Sequence, residues 1–380
     1  MKIKRAGARR VLVFPGKRGV QYLRMLHQAP VEAGFEIVPT KLSDLEADGE
    51  RLERGDVLHI HWTQPVAQEV DTEEEAWASV AAFMQFVERM QGKGVRIVWT
   101  VHNRLPHRMR FLEPELALSQ FLADSADRIH IMSPETPRAV EDLYQLPPDT
   151  LQHIPHPSYR SEYEASVSRE RARDLLGVPQ DEPTVLFFGR MHPYKGVDTL
   201  LKAISVMGDR GLSAPTLLLA GRPKFRAERA QIEAMLPVDS RVVAHFEHVD
   251  DDDVPTWFGA ADVAVFPFRA ILNSGSVHLS ATLGVPVILP GEPHLKSQFR
   301  DEPWVRFYDP ADAASSLADL LAHPDQTDHS ESMAQFSERF APEKVSQQYL
   351  DMLRELVLVP YNERAATGML RRARSYLRRG

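Results

Sequence analysis

The sequence predicts an α/β protein with two doubly wound parallel sheets and a cleft between them. Two observations carry this prediction. Short runs of aliphatic residues without polar alternation are separated by longer segments whose apolar residues recur at helical spacing. The same order of patterns then repeats in the second half of a 380-residue chain, which is long enough for two ordinary domains.

The first half contains five predicted strands, at residues 10–14, 35–39, 56–62, 95–103 and 128–133. The clearest helix between them covers 74–92, where the apolar residues fall on one face and Gly92 and Gly94 end the pattern. Strands that are uniformly apolar and separated by helices indicate a parallel sheet buried on both faces.

The second half repeats this arrangement with predicted strands at 184–189, 215–221, 242–247, 262–268 and 285–290. The segment 151–166 holds prolines and shows no clear period, so we place the boundary near residue 160. The prediction is a first domain at 1–160 and a second at 161–380. A helical tail from Pro342 is expected to pack back on the first domain.

Composition excludes several functional classes. A net charge of −8 argues against a general nucleic-acid binder, and the absence of cysteine excludes disulfides and thiolate metal sites. No apolar run approaches the roughly 18 residues of a spanning helix, so we expect a cytoplasmic protein. Its arginine-rich end, "MLRRARSYLRRG", is either solvated or meets anionic lipid as a peripheral membrane contact on the inner face.

One polar loop carries two cations just before a predicted helix. In "VLFFGRMHPYKGVDTLLKAI" (185–204), Gly189, Arg190 and Lys195 lie between a strand and that helix. A helix start attracts anions, and an arginine with a lysine suits a diphosphate better than one carboxylate. The alternative is a solvated loop in which Asp198 pairs with Lys195.

A second polar turn precedes a later helix. It consists of four residues, Asn273, Ser274, Gly275 and Ser276. Such a turn can serve as an anion cradle, and it can equally be a simple helix cap.

Together these segments resemble the nucleotide-sugar domain of GT-B glycosyltransferases related to glycogen synthase and sucrose synthase, in a divergent bacterial exopolysaccharide-type branch. "FFGRMHPYKG" resembles the family's diphosphate loop, "AGRP" supplies Gly221, and "HFEHVDDDDVPTWFGAADVAVFPF" resembles its base-binding loop, with His248 and Val249. The resemblance is good over 184–290 and loose before that. It implies a hexosyltransferase that uses a nucleotide sugar, with no cofactor and no obligatory metal, and with Arg190 and Lys195 as catalytic groups.

The sequence departs from the family at one important place. The family usually has two glutamates, eight positions apart, ahead of the glycine that corresponds to Gly284, and here Ile271 and Leu279 stand at those positions. Two hypotheses therefore remain. The chain transfers sugar to a glycan or lipid-linked saccharide in bacterial polysaccharide synthesis, or it is a non-catalytic scaffold in a polysaccharide assembly complex.

In the first half, residues that follow predicted strands are the candidates for contact with sugar. The strand "VWTVHN" ends in His102 and Asn103, and the resemblance implies that His102 lies near the donor sugar as a catalytic group. Gly16 and Gly19 follow the first strand and are expected to let the donor approach the backbone.

The pair His59 and His61 in "HIHW" raises a third hypothesis, a metal-dependent hydrolase. The order of later acidic residues does not complete a metal site, so no metal is expected. We instead assign four residues to the acceptor side: His61, Trp62, Asn103 and His107.

Overall fold

The computed structural model describes residues 9–17, 19–163, 167–238, 240–269 and 271–358. The chain forms two compact units. The first contains the described residues of Met1–His156 and Pro342–Gly380, and the second those of Pro157–Ala341. Among these described residues there is no helix with the length and apolar character needed to cross a membrane.

The described chain contains twelve strands in two sheets. They are β1 (Arg10–Phe14), β2 (Glu36–Pro39), β3 (Val57–Ile60), β4 (Arg96–Val101), β5 (Arg128–Ile131), β6 (Leu151–His153), β7 (Thr184–Phe188), β8 (Thr216–Ala220), β9 (Val242–His245), β10 (Val263–Val265), β11 (Val287–Pro290) and β12 (Val305–Tyr308). The first sheet has the order β2-β1-β3-β4-β5-β6 and the second β12-β11-β10-β7-β8-β9. Every pairing between these strands is parallel.

The helices flank these sheets. They are α1 (Gln21–Glu32), α2 (Leu45–Glu50), α3 (Gln64–Ala67), α4 (Glu73–Gly92), α5 (Leu112–Ser125), α6 (Thr136–Val140), α7 (Arg169–Leu176), α8 (Val197–Asp209), α9 (Arg226–Ala234), α10 (Val254–Gly259), α11 (Gly275–Thr282), α12 (Pro293–Gln298), α13 (Ala313–Ala322), α14 (Ser330–Arg339) and α15 (Pro342–Leu358). Short 3-10 turns lie at Pro148–Thr150, Pro193–Lys195, Asp251–Asp253 and Pro310–Asp312.

The predicted fold class is confirmed, since both units are doubly wound parallel sheets. All ten predicted strands form, and β6 and β12 are additional strands at the sheet edges. In the second sheet, alternate residues face opposite cores: Val185 and Phe187 pack in one cluster, and Leu186 packs in the other. The sheet is therefore covered on both faces, which explains why its strands show no polar alternation.

The longest predicted helix matches α4 closely. Thr72 accepts a hydrogen bond from the Glu75 backbone, and the Glu75 side chain accepts one from the Thr72 backbone, so the helix begins with a capping box. It ends at Gly92, followed by Gly94 with a φ of +81°, as the glycines predicted.

The segment α15 packs in the first unit, where its apolar face joins a core cluster that includes Val11 and Leu26. Ser346 accepts a hydrogen bond from the Ala29 backbone at 2.8 Å and donates one to the Leu26 carbonyl at 2.9 Å. The structure thus counts α15 with the first unit, whereas the sequence assigned it to the second domain and expected contact with the first. Residues 359–380 lie outside the described residues.

The second unit depends on a buried arginine. Arg173 on α7 is fully buried and donates to five oxygens: Asp262 Oδ2 at 3.0 Å and the carbonyls of Ala260, Pro179, Gln180 and Glu182 at 2.7–3.2 Å. Asp262 also accepts from the Thr184 backbone at 2.7 Å. These bonds fix the starts of β7 and β10, the two strands that carry the loops predicted to bind phosphate.

We predict that Arg173→Gln lowers the unfolding free energy of the second unit by about 3–5 kcal/mol, because it removes the buried charge that donates to five oxygens and leaves most of them without a donor. Urea unfolding of the full chain measures this. Arg169→Gln is the control, since exposed Arg169 also pairs with Asp262 and its removal should cost at most about 1 kcal/mol. Equal losses in the two variants would contradict the central role of Arg173.

Candidate functional site

The two predicted phosphate loops follow neighbouring strands of the second sheet. The chain proceeds from β7 to β8 and β9 on one side, and it then crosses to β10 on the other side. Connections therefore leave the carboxyl ends of β7 and β10 in opposite directions. Such a point, where strand order reverses, is where open α/β sheets bind ligands.

The loops after these two strands are in direct contact. Gly196 has a φ of +70°, and a Cβ there would lie 1.9 Å from the Pro267 carbonyl oxygen. The Arg269 backbone N–H donates to the Tyr194 carbonyl at 2.9 Å. At the end of β8, a Cβ on Gly221 would lie 2.0 Å from the Gly189 carbonyl oxygen. Backbone packing alone thus requires glycine at 196 and 221.

Lys195 has no carboxylate partner among the described residues. Its Nζ lies 4.0 Å from the centre of the Phe268 ring, and burial lowers its pKa to about 8. The anticipated partner, Asp198, instead pairs with Arg269 and, at 3.6 Å, with Lys202. The interpretation of the loop as an Asp198–Lys195 pair is therefore wrong.

Arg190 is exposed beside Gly189, at the carboxyl end of β7, and it forms no ion pair with any described residue. Burial raises the pKa of the neighbouring Tyr194 to about 12, and the positive charge of Arg190 opposes that rise. The Arg190 charge therefore acts on the same loop as Lys195. An uncompensated pair of cations suits a dianionic ligand.

The polar turn after β10 leads into α11, which begins at Gly275. Ser274 occupies the N-cap position, yet its side chain makes no capping hydrogen bond to the helix. The structure does not use this hydroxyl as a cap, so the first N–H groups of α11 keep their capacity to bind an anion. Asn273 and Ser276 are half-buried in the same turn.

Ile271 and Leu279, which stand where the family has glutamates, are buried in the core of the second unit. Their side chains pack with residues such as Phe266 and Phe268. Side chains that belong to the apolar core therefore occupy the two positions at which the family has carboxylates.

His248 lines a cavity of about 1090 Å³ beyond the ends of β8 and β9. Arg222, Lys224 and Arg226 line the same cavity, and sequence reasoning did not single them out. Val249 lies differently, because its side chain is buried in the core of the second unit. Any contact that Val249 makes with a ligand must use its backbone.

In the first unit, all five residues predicted for sugar chemistry line one cavity of about 110 Å³: His61, Trp62, His102, Asn103 and His107. They lie after β3 and β4, and Lys17, from the loop after β1, lines the same cavity. Strand order in this sheet reverses between β1 and β3. This cavity therefore occupies the ligand-binding position of the first sheet.

The rings around this cavity are in close contact. Trp62 stacks on His102 with ring centres 4.4 Å apart, and Lys17 Nζ lies 4.4 Å from the centre of the Trp62 ring. His61 Nδ1 and His102 Nε2 are 3.0 Å apart. Burial lowers the pKa of both histidines well below the usual range, and the neighbouring imidazole rings and, at His102, the Lys17 ammonium group add to this shift. Both are therefore neutral at pH 7 and can share one ring proton.

A chain of hydrogen bonds that the sequence did not reveal lies behind this cavity. Tyr349 OH bonds to His59 Nδ1 at 2.7 Å, and His59 Nε2 bonds to Thr100 Oγ1 at 2.7 Å. Thr100 Oγ1 continues to His130 Nδ1 at 3.1 Å, and His130 Nε2 reaches the Ile154 carbonyl at 2.8 Å. These hydrogen bonds connect α15 to the neighbouring strands β3, β4 and β5 and to the residue after β6.

The direction of every bond in this chain follows from its last acceptor. The Ile154 carbonyl carries no proton, so His130 donates through Nε2 and accepts at Nδ1 from the Thr100 hydroxyl. Thr100 then accepts from His59 Nε2, and His59 accepts at Nδ1 from Tyr349. Both histidines are neutral in this arrangement, and burial favours this because it lowers the pKa of His130 to about 4 and holds that of His59 well below its usual range.

Gly16 and Gly19 have structural explanations of their own. A Cβ on Gly16 would lie 2.5 Å from Pro39 Cβ, and Gly19 has a φ of +74° with open space around it. Close packing on the end of β2 requires the first glycine, and a left-handed turn favours the second. Their assignment to donor binding stays a prediction.

Glu115 is a further buried group at the cavity of the first unit. It accepts hydrogen bonds from Thr63 Oγ1 and, at 3.0 Å, from Gln68 Nε2. Burial raises its pKa, and these two hydrogen bonds oppose the rise. No sequence signal identified it, because it lies on the apolar helix α5 with partners about fifty residues earlier.

The chain is similar in sequence to known glycosyltransferases. Residues 182–323 match the family model described as glycosyl transferases group 1. A GDP-mannose:glycolipid 4-beta-D-mannosyltransferase of Xanthomonas campestris pv. campestris is 27% identical over 303 residues, which cover 79% of this chain and 78% of the relative. A D-inositol 3-phosphate glycosyltransferase of Thermobispora bispora is 28% identical, covering 72% of this chain and 64% of the relative.

Solved structures agree on the fold. Sucrose-phosphate synthase from Thermosynechococcus elongatus aligns with a TM-score of 0.72 at 18% identity, covering 92% of this chain and 99% of that protein. The Anabaena protein HepE, in complex with UDP and glucose, aligns with a TM-score of 0.69 at 16% identity, covering 92% and 100%. At these identities the alignments establish the shared fold.

The buried histidines make stability depend on pH. Burial lowers the pKa of His27 and of His130 to about 4, below the value of about 6.5 for the unfolded chain. The unfolded state therefore takes up protons first as the pH falls, and each such histidine should remove about 3 kcal/mol of stability between pH 7.5 and pH 4. Unfolding midpoints measured across this range should fall steeply below pH 6.5.

His27→Leu should make this dependence shallower, because it removes one group that must charge on unfolding. His323→Gln, a change at an exposed histidine, should leave the slope unchanged. A slope in His27→Leu equal to that of the unmodified chain would contradict the low pKa of His27.

Proposed function

Since the chain is a nucleotide-sugar-dependent glycosyltransferase with the GT-B fold, of the group 1 type, we propose that it transfers a hexose to a lipid-linked saccharide or glycan in bacterial polysaccharide synthesis. The observation that carries this proposal is the pair of uncompensated cations, Arg190 and Lys195, at the point where strand order reverses in the second sheet. The relative from Xanthomonas campestris, whose name specifies GDP-mannose and a glycolipid, supports the choice of acceptor.

The donor diphosphate is held by the loops after β7 and β10. Arg190 offers a planar fork to phosphate oxygens, and Lys195 offers a compact charge. The N–H groups at the start of α11, with Asn273 and Ser276 beside them, supply further donors to the anion. The nucleoside occupies the cavity lined by His248, close to the backbone of Val249.

During transfer, the bond between the anomeric carbon and the diphosphate breaks, and the acceptor oxygen forms a new bond to that carbon. The departing diphosphate gains negative charge, which Arg190 and Lys195 stabilise. The acceptor hydroxyl loses its proton, and neutral His102, in contact with His61, receives it. Trp62, Asn103 and His107 contact the acceptor saccharide in the cavity of the first unit.

Buried Ile271 and Leu279 favour a second candidate, a scaffold that does not catalyse transfer. The two candidates differ in a measurable way. The enzyme binds a nucleotide sugar and releases nucleoside diphosphate in the presence of acceptor, whereas the scaffold does neither. A panel of GDP-mannose, UDP-glucose and ADP-glucose in a thermal-shift assay separates them, because binding to the native state raises its melting temperature.

The arginine-rich tail, which lies outside the described residues, is proposed to hold the enzyme at an anionic membrane surface, where a lipid-linked acceptor resides. Removal of residues 359–380 should abolish sedimentation with vesicles that contain phosphatidylglycerol. Binding to uncharged vesicles should be absent for both chains. Equal sedimentation of the full and shortened chains would contradict this part of the proposal.

We predict that Arg190→Ala and Lys195→Ala each lower turnover by about 10²–10³-fold, because each removes a preorganised group that stabilises the leaving diphosphate. Release of nucleoside diphosphate, with lipid extract as the source of acceptor, measures the rate. Lys202→Ala is the matched control, since Lys202 lies on α8 but pairs with Asp198. Unchanged turnover in the double variant Arg190→Ala with Lys195→Ala would refute the proposed donor site.

A further inference from the structure

Three histidines in the first unit, of which only His61 takes part in the proposed transfer, gather in one place. His27 projects from α1, and His59 and His61 come from β3. One ring nitrogen from each lies within 4.8 Å of the other two. All three side chains are buried.

Two of these rings present a nitrogen without a hydrogen-bond partner. His27 Nε2 and His61 Nε2 are buried and find no donor or acceptor among the described residues, although the two side chains are only 7% and 1% exposed. Leaving a buried polar atom unpaired costs free energy, so such atoms usually have a partner. A ring nitrogen of a neutral histidine that lacks a hydrogen bond can offer its lone pair to a metal ion.

The hydrogen bonds of two of these rings are compatible with binding of a metal ion. His61 Nδ1 lies 3.0 Å from His102 Nε2, so the nitrogen opposite the unpaired one is already oriented by a hydrogen bond, as is usual for a metal-bound histidine. For His59, the hydrogen-bond chain places the proton on Nε2 and the lone pair on Nδ1, where Tyr349 OH donates. Ligation at His59 Nδ1 replaces that single bond.

We propose that His27 Nε2, His59 Nδ1 and His61 Nε2 bind one divalent transition-metal ion. Three neutral imidazoles suit Zn²⁺, Co²⁺, Ni²⁺ or Cu²⁺, while Mg²⁺ and Ca²⁺ prefer oxygen ligands. His61 lines the cavity of the first unit, so the cluster lies beside that cavity. The three histidines belong to the first unit, whereas Arg190 and Lys195 belong to the second.

The sequence pair His59 and His61 did not suffice to predict this site. The acidic residues later in the chain supply no third ligand, and for this reason the sequence alone predicts no metal. His27 comes earlier in the chain, on a helix that packs against the same sheet.

The test uses full-length protein without a polyhistidine tag, because a tag binds the same ions. After treatment with a chelator, the protein is titrated with Co²⁺, and bound metal is measured by visible absorption and by elemental analysis. We expect one Co²⁺ per chain, and a rise of several degrees in melting temperature with Zn²⁺. Mg²⁺ should produce neither signal.

His27→Leu and His61→Gln should each weaken Co²⁺ binding at least 10-fold, while His323→Gln, at an exposed histidine, should bind as the unmodified chain does. Tyr349→Phe removes the hydrogen bond that competes at His59 Nδ1 and should keep one Co²⁺ per chain. Melting of each metal-free variant verifies that it folds. The proposal is wrong if the unmodified chain binds no stoichiometric Co²⁺. It is also wrong if His27→Leu and His61→Gln bind Co²⁺ as tightly as the unmodified chain does. None of these readouts involves sugar transfer, so their failure leaves the proposed enzyme activity untouched.

Discussion

Parallel strand direction is the constraint on which both candidate sites depend. In a parallel sheet every strand ends at the same edge, so residues far apart in sequence meet there once the strands pair. In each unit, strand order reverses once, next to the first strand of that unit. Connections diverge at these points and leave room between them. The loops after β7 and β10 carry the cations and small polar residues that we propose to act in transfer, and the loops after β1, β3 and β4 carry Lys17 and the aromatic rings of the other cavity.

Hydrogen bonding then decides how polar groups behave inside the first unit. Its core contains several histidines, and an isolated charge there would be strongly disfavoured. The bonds from Tyr349 through His59, Thr100 and His130 to Ile154 leave one arrangement of protons, in which both rings of that chain are neutral. The same burial keeps His61 and His102 neutral, so a proton-accepting ring can exist beside the cavity at physiological pH.

The sequence predicted most of the fold, because runs of uniformly apolar residues mark interior parallel strands. It missed β6 (LQH) and β12 (VRFY), which are short edge strands with polar residues. His102 was identified by its position directly after a strand and Lys195 by its charge just before a helix, and the family resemblance supported both. Glu115, Tyr349 and His27 were missed because their relevant neighbours lie far away in the chain, and no local spacing records such contacts.

The placement of α15 has a consequence for how the molecule is made. The first unit is assembled from both ends of the chain, with the whole of the second unit inserted between them. During synthesis, the ribosome releases the residues of the second unit before α15 emerges, so Tyr349 and Ser346 reach α1 and β3 last. Until then, His59 and the α1 backbone lack these partners. The amino-terminal part of the first unit therefore cannot complete its core until α15 has been synthesised, whereas the second unit can fold before that.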